Sequence, residues 1–182
     1  MHRLTVLVTD RPRQGPPEAG LTRGLRRGDA VLLRDYPAAD RPALARRWRA
    51  ITRARGLVLI IAGDIGLALT VGADGLHLPG HLLQRPDIQR QPRPMLVTAA
   101  VHDRADLVRA RRLKVDLVLV SPVLPTRSHP GARVLGPLRF RALATRAGLP
   151  VLAMGGMTAA TFRQVTPCPN LKGFAAIDAF AR

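Results

Sequence analysis

The sequence predicts an α/β fold on a parallel sheet, with a closed (β/α)8 barrel leading and an open doubly wound sheet as runner-up. Three observations carry this. Eight apolar runs of strand length recur along the chain, mostly continuous rather than alternating, as strands covered on both faces read. Helical patterns lie between several of them, and such alternation implies right-handed βαβ units. Polar residues fall at or just after the ends of the runs, where a barrel carries its chemistry.

The expected strands are Leu4–Val8, Ala30–Leu33, Leu57–Ile61, Gly75–Leu78, Met95–Ala100, Leu117–Val120, Val151–Met154 and Gly173–Ile177. Arg41–Arg55 reads as a helix opened by Pro42, with Leu44, Trp48 and Ile51 on one face. Asp64–Val71 reads as a short helix with Asp64 as N-cap. Asp103–Arg112, Gly136–Ala147 and a Thr-capped Thr158–Val165 follow. The 182 residues form a single domain, 1–182. Barrels of this kind typically take ~250 residues, so a barrel here needs shortened helices. The Pro- and Gly-rich stretch 10–28 and the stretch 78–94 are where shortening is expected.

Composition narrows the classes. An apolar share of 47% excludes a disordered chain, and 16 glycines exclude a collagen-like one. The single Cys168 excludes an internal disulfide and a multi-cysteine metal cluster. No apolar run reaches the ~18 residues of a membrane span, and residues 1–10 lack a signal-peptide core. A cytoplasmic protein without a membrane partner is expected. The net charge of +17 is carried almost wholly by arginine. It suits anionic ligands, but aromatics at 3% leave few stacking platforms. Nucleic acid is therefore not the expected main partner, and homo-oligomerisation is left open.

In a barrel the strand ends would ring one mouth with Asp10, Arg34, Asp64, His77, His102, Ser121, Gly155, Gly156 and Asp178. Convergent polar groups over an apolar cup make a substrate pocket. His102 can serve as general acid and base or simply open the helix after it. His77 reads equally as a pocket residue or a buried, hydrogen-bonded histidine. Gly155-Gly156 can present backbone N–H groups to a phosphate or make a tight turn. Ser121 to Ser128, with Thr126, form a hydroxyl-rich cationic loop suited to an anion.

Four stretches carry a resemblance: Val8-Thr9-Asp10-Arg11, Gly72 to Leu78, Ser121 to Thr126, and Val151 to Met157. In this order and spacing the chain resembles the thiamine phosphate synthase and TenI family. The resemblance implies a (β/α)8 barrel, here with shortened helices. It implies a substrate that is a small phosphorylated heterocycle, bound by Arg34, His77, Ser121, Thr126, Ser128, Gly155, Gly156, Ile177 and Asp178. Synthases of the family join a pyrimidine pyrophosphate to a thiazole phosphate with Mg2+. Their metal carboxylates would fall at Gly63 and Leu82, and of their Gln-x-Arg-Glu-Lys pattern only Arg34 survives. The expectation is therefore no metal and no cofactor, and a TenI-like isomerase, a metal-free thiazole tautomerase. The proton-transfer histidine of that branch falls at Pro122, which leaves His102 as the catalytic residue, with His129 as another candidate. Asp178 stands where the family has a serine near the phosphate. Two alternatives remain: a synthase with Mg2+ moved to Asp10, Asp35 or Asp64, and an inactive ligand-binding barrel.

Overall fold

A computed structural model describes residues 3–84, 95–128 and 130–180. Its eight strands are β1 (Leu4–Val8), β2 (Ala30–Leu33), β3 (Val58–Ala62), β4 (Gly75–Leu78), β5 (Leu96–Val101), β6 (Leu117–Val120), β7 (Val151–Met154) and β8 (Leu171–Ala176). Every neighbouring pair is parallel, and β8 returns to β1 to close the barrel. The open-sheet alternative is thereby excluded.

The barrel is short because its connections are short. The helices are α1 (Arg11–Gln14), α2 (Arg41–Arg55), α3 (Ile65–Thr70), α4 (Arg104–Arg112) and α5 (Gly136–Thr145). Elsewhere 3-10 turns serve, at Ala19–Thr22, Gly80–Leu82 and Thr161–Val165. The expected helix at Thr158–Val165 is thus only a five-residue 3-10 turn. Its first residues close a hydroxyl-bonded turn instead, with Thr158 Oγ1 accepting the Thr161 N–H at 3.1 Å. α3 follows its predicted chemistry, the Asp64 carboxylate accepting the Leu67 N–H at 2.8 Å.

Alternation along the strands makes two apolar layers. Leu7, Val31, Leu33 and Ile61 pack outward with Ala45 and Trp48 of α2. Val6, Val8, Ala30, Leu32, Ile60, Leu119 and Leu152 fill the barrel interior. The closed end is sewn by a repeated device. Asp29, Asp74 and Asp116 each stand one residue before an even-numbered strand. Their carboxylates accept the N–H of Thr5, Leu59 and Val97, near the start of the preceding strand, at 2.8–2.9 Å. Asn170, just before β8, instead donates to the carbonyl of Ala144 on α5. These polar residues stabilise the face opposite the mouth. Among the described residues no helix is long and apolar enough to cross a membrane.

Candidate active site: an anion cup between the last three strand ends

The loops after β6, β7 and β8 enclose a cavity of about 270 Å3 at the carboxyl end of the barrel. Its floor is apolar, from Met154, Ala175 and Ile177. Its rim carries Arg34, His102, Ser121, Thr126, Arg127 and Ser128.

The β7 loop is fitted into the β6 loop. A Cβ on Gly155 would lie 2.8 Å from Pro122 Cα, and one on Gly156 would lie 2.6 Å from the Pro125 carbonyl oxygen. Both glycines have positive φ, +91° and +65°. Two hydrogen bonds clamp the loops, Val123 N–H to Met154 O at 2.9 Å and Leu124 N–H to Gly155 O at 3.1 Å. The N–H groups of Gly155, Gly156 and Met157 have no acceptor among the described residues. Backbone donors left unpaired beside a cavity bind an anion or water. Thr126, Ser128 and Arg127 add side-chain donors across the cup. No α-helix N-terminus stands behind the glycines, because the helix expected at Thr158–Val165 is only a five-residue 3-10 turn.

His102 lies on the rim, just after β5. Its Nδ1 is 2.8 Å from the Ser121 carbonyl oxygen. A carbonyl only accepts, so Nδ1 carries a proton and donates; in the neutral imidazole the lone pair is then on Nε2. The backbone N–H of His102 donates to Asp106 at 3.1 Å and fixes the residue at the start of α4. His77 is placed differently. It is buried inside the barrel with Nδ1 2.9 Å from Thr98 Oγ1 and does not line the cup. Burial, with a smaller push from His102, lowers its pKa to about 4, so it is neutral. His129, the other candidate base, lies outside the described residues.

Asp178 does reach the cup, but not alone. Arg13 Nη1 lies 3.3 Å from Asp178 Oδ1, and Arg13 Nε lies 3.4 Å from Asp10 Oδ2. Asp10 also pairs with Arg34 at 2.9 Å. A chain of alternating charges thus runs Arg34, Asp10, Arg13, Asp178, and it offsets the Asp178 carboxylate that would otherwise repel a phosphate. Sequence reasoning missed Arg13, which sits in the Pro- and Gly-rich 10–28 stretch without periodicity.

The residues do not fit the Mg2+ that the resemblance implies. Gly63 and Leu82 offer no carboxylate. Asp10 is held by two arginines, while Asp35 accepts from Thr9 Oγ1 and from the Arg11 N–H at 2.7 Å. Asp64 caps α3 and pairs with Arg41 at 3.5 Å. All three substitute carboxylates are therefore already engaged. A hard cation needs several oxygens converging on one point, and no group of three His, Cys, Asp or Glu residues converges among those described.

Fold and cup together define a (β/α)8 barrel whose last three strand ends carry a cavity lined by hydroxyls, arginines and unpaired backbone N–H groups. Residues 5–180 match the profile of the thiamine monophosphate synthase family, and the chain belongs to that family. It is 34% identical over 138 residues to the thiamine-phosphate synthase of Methanoregula boonei (strain DSM 21154 / JCM 14090 / 6A8), covering 71% of this chain and 62% of that protein. A relative in Aquifex aeolicus (strain VF5), which carries a provisional thiamine-phosphate synthase name, is 30% identical over 158 residues, 83% of each chain. Among solved structures, a thiamine phosphate pyrophosphorylase from Pyrococcus furiosus superposes with a TM-score of 0.79 at 24% identity, over 97% of this chain and 86% of that one. The likeness in fold is as extensive as the match in sequence.

Proposed function

We propose that the protein acts in thiamine phosphate formation, binding a small phosphorylated heterocycle by its phosphate in the cup. The carrying observation is the run of unpaired N–H groups at Gly155, Gly156 and Met157 beside a hydroxyl- and arginine-lined cavity. The relatives' names favour the synthase reaction over the isomerisation that the resemblance first suggested. In that reaction the thiazole nitrogen bonds to the pyrimidine methylene carbon as its bond to pyrophosphate breaks. Arg34 and Arg127 on the cavity lining are the cations available to the departing pyrophosphate, and the ion pair with Asp10 fixes the Arg34 guanidinium.

One observation supports the isomerase as a second reading. The Nδ1–H of His102 is tied to the Ser121 carbonyl, so the neutral imidazole keeps its lone pair on Nε2, as a general base requires. The test supplies thiazole phosphate with and without the pyrimidine pyrophosphate, each with and without EDTA, and separates products by chromatography. Thiamine phosphate formed only when both substrates are present supports the synthase. A rearranged thiazole from one substrate, slowed roughly 10²–10⁴-fold by His102→Gln, supports the isomerase. Tight binding with neither product would leave a ligand-binding barrel and overturn both readings.

A further inference from the structure

A second concavity lies on the outside of the barrel, between α4 and α5. It encloses about 700 Å3, and its floor is apolar, from Leu107, Val108, Leu135, Ala142 and Leu143. Its two walls carry Arg104 and Arg111 from α4, and Arg139 of α5 with Arg146 at its C-cap. Each pair is spaced i, i+7, two helical turns or ~10.5 Å along the axis. On α4 the order Arg104, Leu107, Val108, Arg111 follows i, i+3, i+4, i+7, the pattern of a single face. Leu107 packs down into the core, while Arg104, Val108 and Arg111 are exposed along the groove.

Two further facts make the groove more than a solvated surface. None of the four arginines makes an ion pair among the described residues; the one hydrogen bond found is from Arg146 to the Ala142 carbonyl on its own helix. Some arginines on the outer surface do find carboxylates, as Arg49 does with Asp74 and Arg109 with Asp106, whereas Arg46 and Arg47 on α2 pair with none among the described residues and do not line this groove. Two of the four exposed large hydrophobic residues also belong to this region. Val108 is 40% exposed on the floor, and Leu138, 75% exposed, lies on α5 one turn from Leu135 and Ala142. Apolar area flanked by arginines that no ion pair offsets marks an interaction surface; the one carboxylate in the lining, Asp103, is engaged as the α4 N-cap, accepting the Asp106 N–H at 2.8 Å.

We propose that the α4–α5 groove docks an acidic amphipathic helix of a partner protein. A helix with carboxylates at i and i+7, and Leu-type residues between them, matches the arginine walls and the apolar floor at once. A second copy of this chain is the wrong occupant, because each copy carries +17 and the groove adds like charge to like. A nucleic acid would engage the arginines but leave the apolar floor facing phosphate and sugar. His102 and Asp103 line the groove at its mouth end, and His102 also lines the anion cup. A docked helix therefore abuts the residue that borders the active cavity, and the partner's class is a protein that delivers to, or draws from, that cavity.

The test is fluorescence anisotropy with labelled synthetic peptides. The probe is an amphipathic helical peptide with Glu at i and i+7 and Leu at i+3 and i+4; controls replace Glu by Lys, or Leu by Ser. The variants are Arg111→Glu/Arg139→Glu in the groove and Arg46→Glu/Arg47→Glu on the exposed side of α2, which change net charge equally. The groove variant is expected to weaken the acidic peptide at least ~10-fold, the α2 variant no more than ~2-fold, with affinity falling as salt rises. Val108→Asp, which leaves every arginine in place, is expected to weaken it similarly. Equal losses in the two double variants would reduce the effect to net charge and overturn the proposal. So would binding of the lysine peptide, equal binding of the serine peptide, tighter binding of a DNA duplex through the same arginines, or no binding at all.

Discussion

Gly156→Ala tests how tightly the cup is built. The new Cβ would sit 2.6 Å from the Pro125 carbonyl oxygen and 2.8 Å from Leu124 Cβ, and φ is +65°. Holding alanine in this left-handed conformation costs ~1–2 kcal/mol, and overpacking adds ~1–3 kcal/mol. Alanine's smaller unfolded-state entropy returns ~0.4–1 kcal/mol, so the net loss is about 1–4.6 kcal/mol. For a chain of this size that lowers Tm by roughly 2–18 °C. Gly131→Ala is the internal reference. Its φ is +75°, yet a Cβ there meets nothing within 4 Å. It carries the conformational cost without the contact, so it should lose only about 1 kcal/mol. Thermal unfolding of both variants, followed by circular dichroism, measures the difference. The Ser121–Pro125 segment must also shift to admit the methyl, so Gly156→Ala should bind phosphate at least ~10-fold more weakly while Gly131→Ala binds normally. Equal Tm losses in the two variants would refute the close fit of the β6 and β7 loops.

Three other outcomes follow from the same geometry. His77 is lowered to about 4 from an unfolded value near 6.5. The unfolded chain therefore binds more protons between those values, so this group's stabilisation is complete above pH ~6.5 and falls by about 3 kcal/mol as pH drops to 4. The stability gap between wild type and His77→Gln should narrow by that amount in urea melts from pH 7 to 4, and a constant gap would count against a buried neutral imidazole. Arg13→Ala should weaken phosphate binding several-fold by exposing it to the Asp178 carboxylate, and adding Asp178→Ser should restore it; calorimetry showing no recovery would detach Arg13 from that role. Asp64→Ala should cost about 1 kcal/mol through loss of the α3 cap, read as a shifted denaturation midpoint without a change in slope.

Much of the barrel was legible because its strands are short, continuous apolar runs, a pattern set by burial on both faces. Boundaries drifted most at β8, expected at Gly173–Ile177 and found at Leu171–Ala176. There the polar Lys172 obscured the apolar run, and the pairing with β7 shifts register near Val151. The Asp29, Asp74 and Asp116 series carried no signal of its own, since an isolated aspartate before an apolar run also reads as a turn. In the site, Arg34, His102, Ser121, Thr126, Ser128, Gly155, Gly156, Ile177 and Asp178 do share one cavity, because strand ends meet at the mouth whatever their separation along the chain. His77 departed because its side chain faces the interior one layer below the mouth, beside Thr98. Arg13 and Asp178 are 165 residues apart, and no local pattern could have joined them.

The central claim, that the β6–β8 cup holds the phosphate of the substrate through backbone N–H groups, is tested most directly by following backbone amide resonances while thiazole phosphate is added. Saturable downfield shifts of the Gly155, Gly156 and Met157 amides, persisting in EDTA, are predicted, with no comparable change at Gly131. Binding that leaves these three amides unmoved, or that requires Mg2+ to move them, would contradict the account.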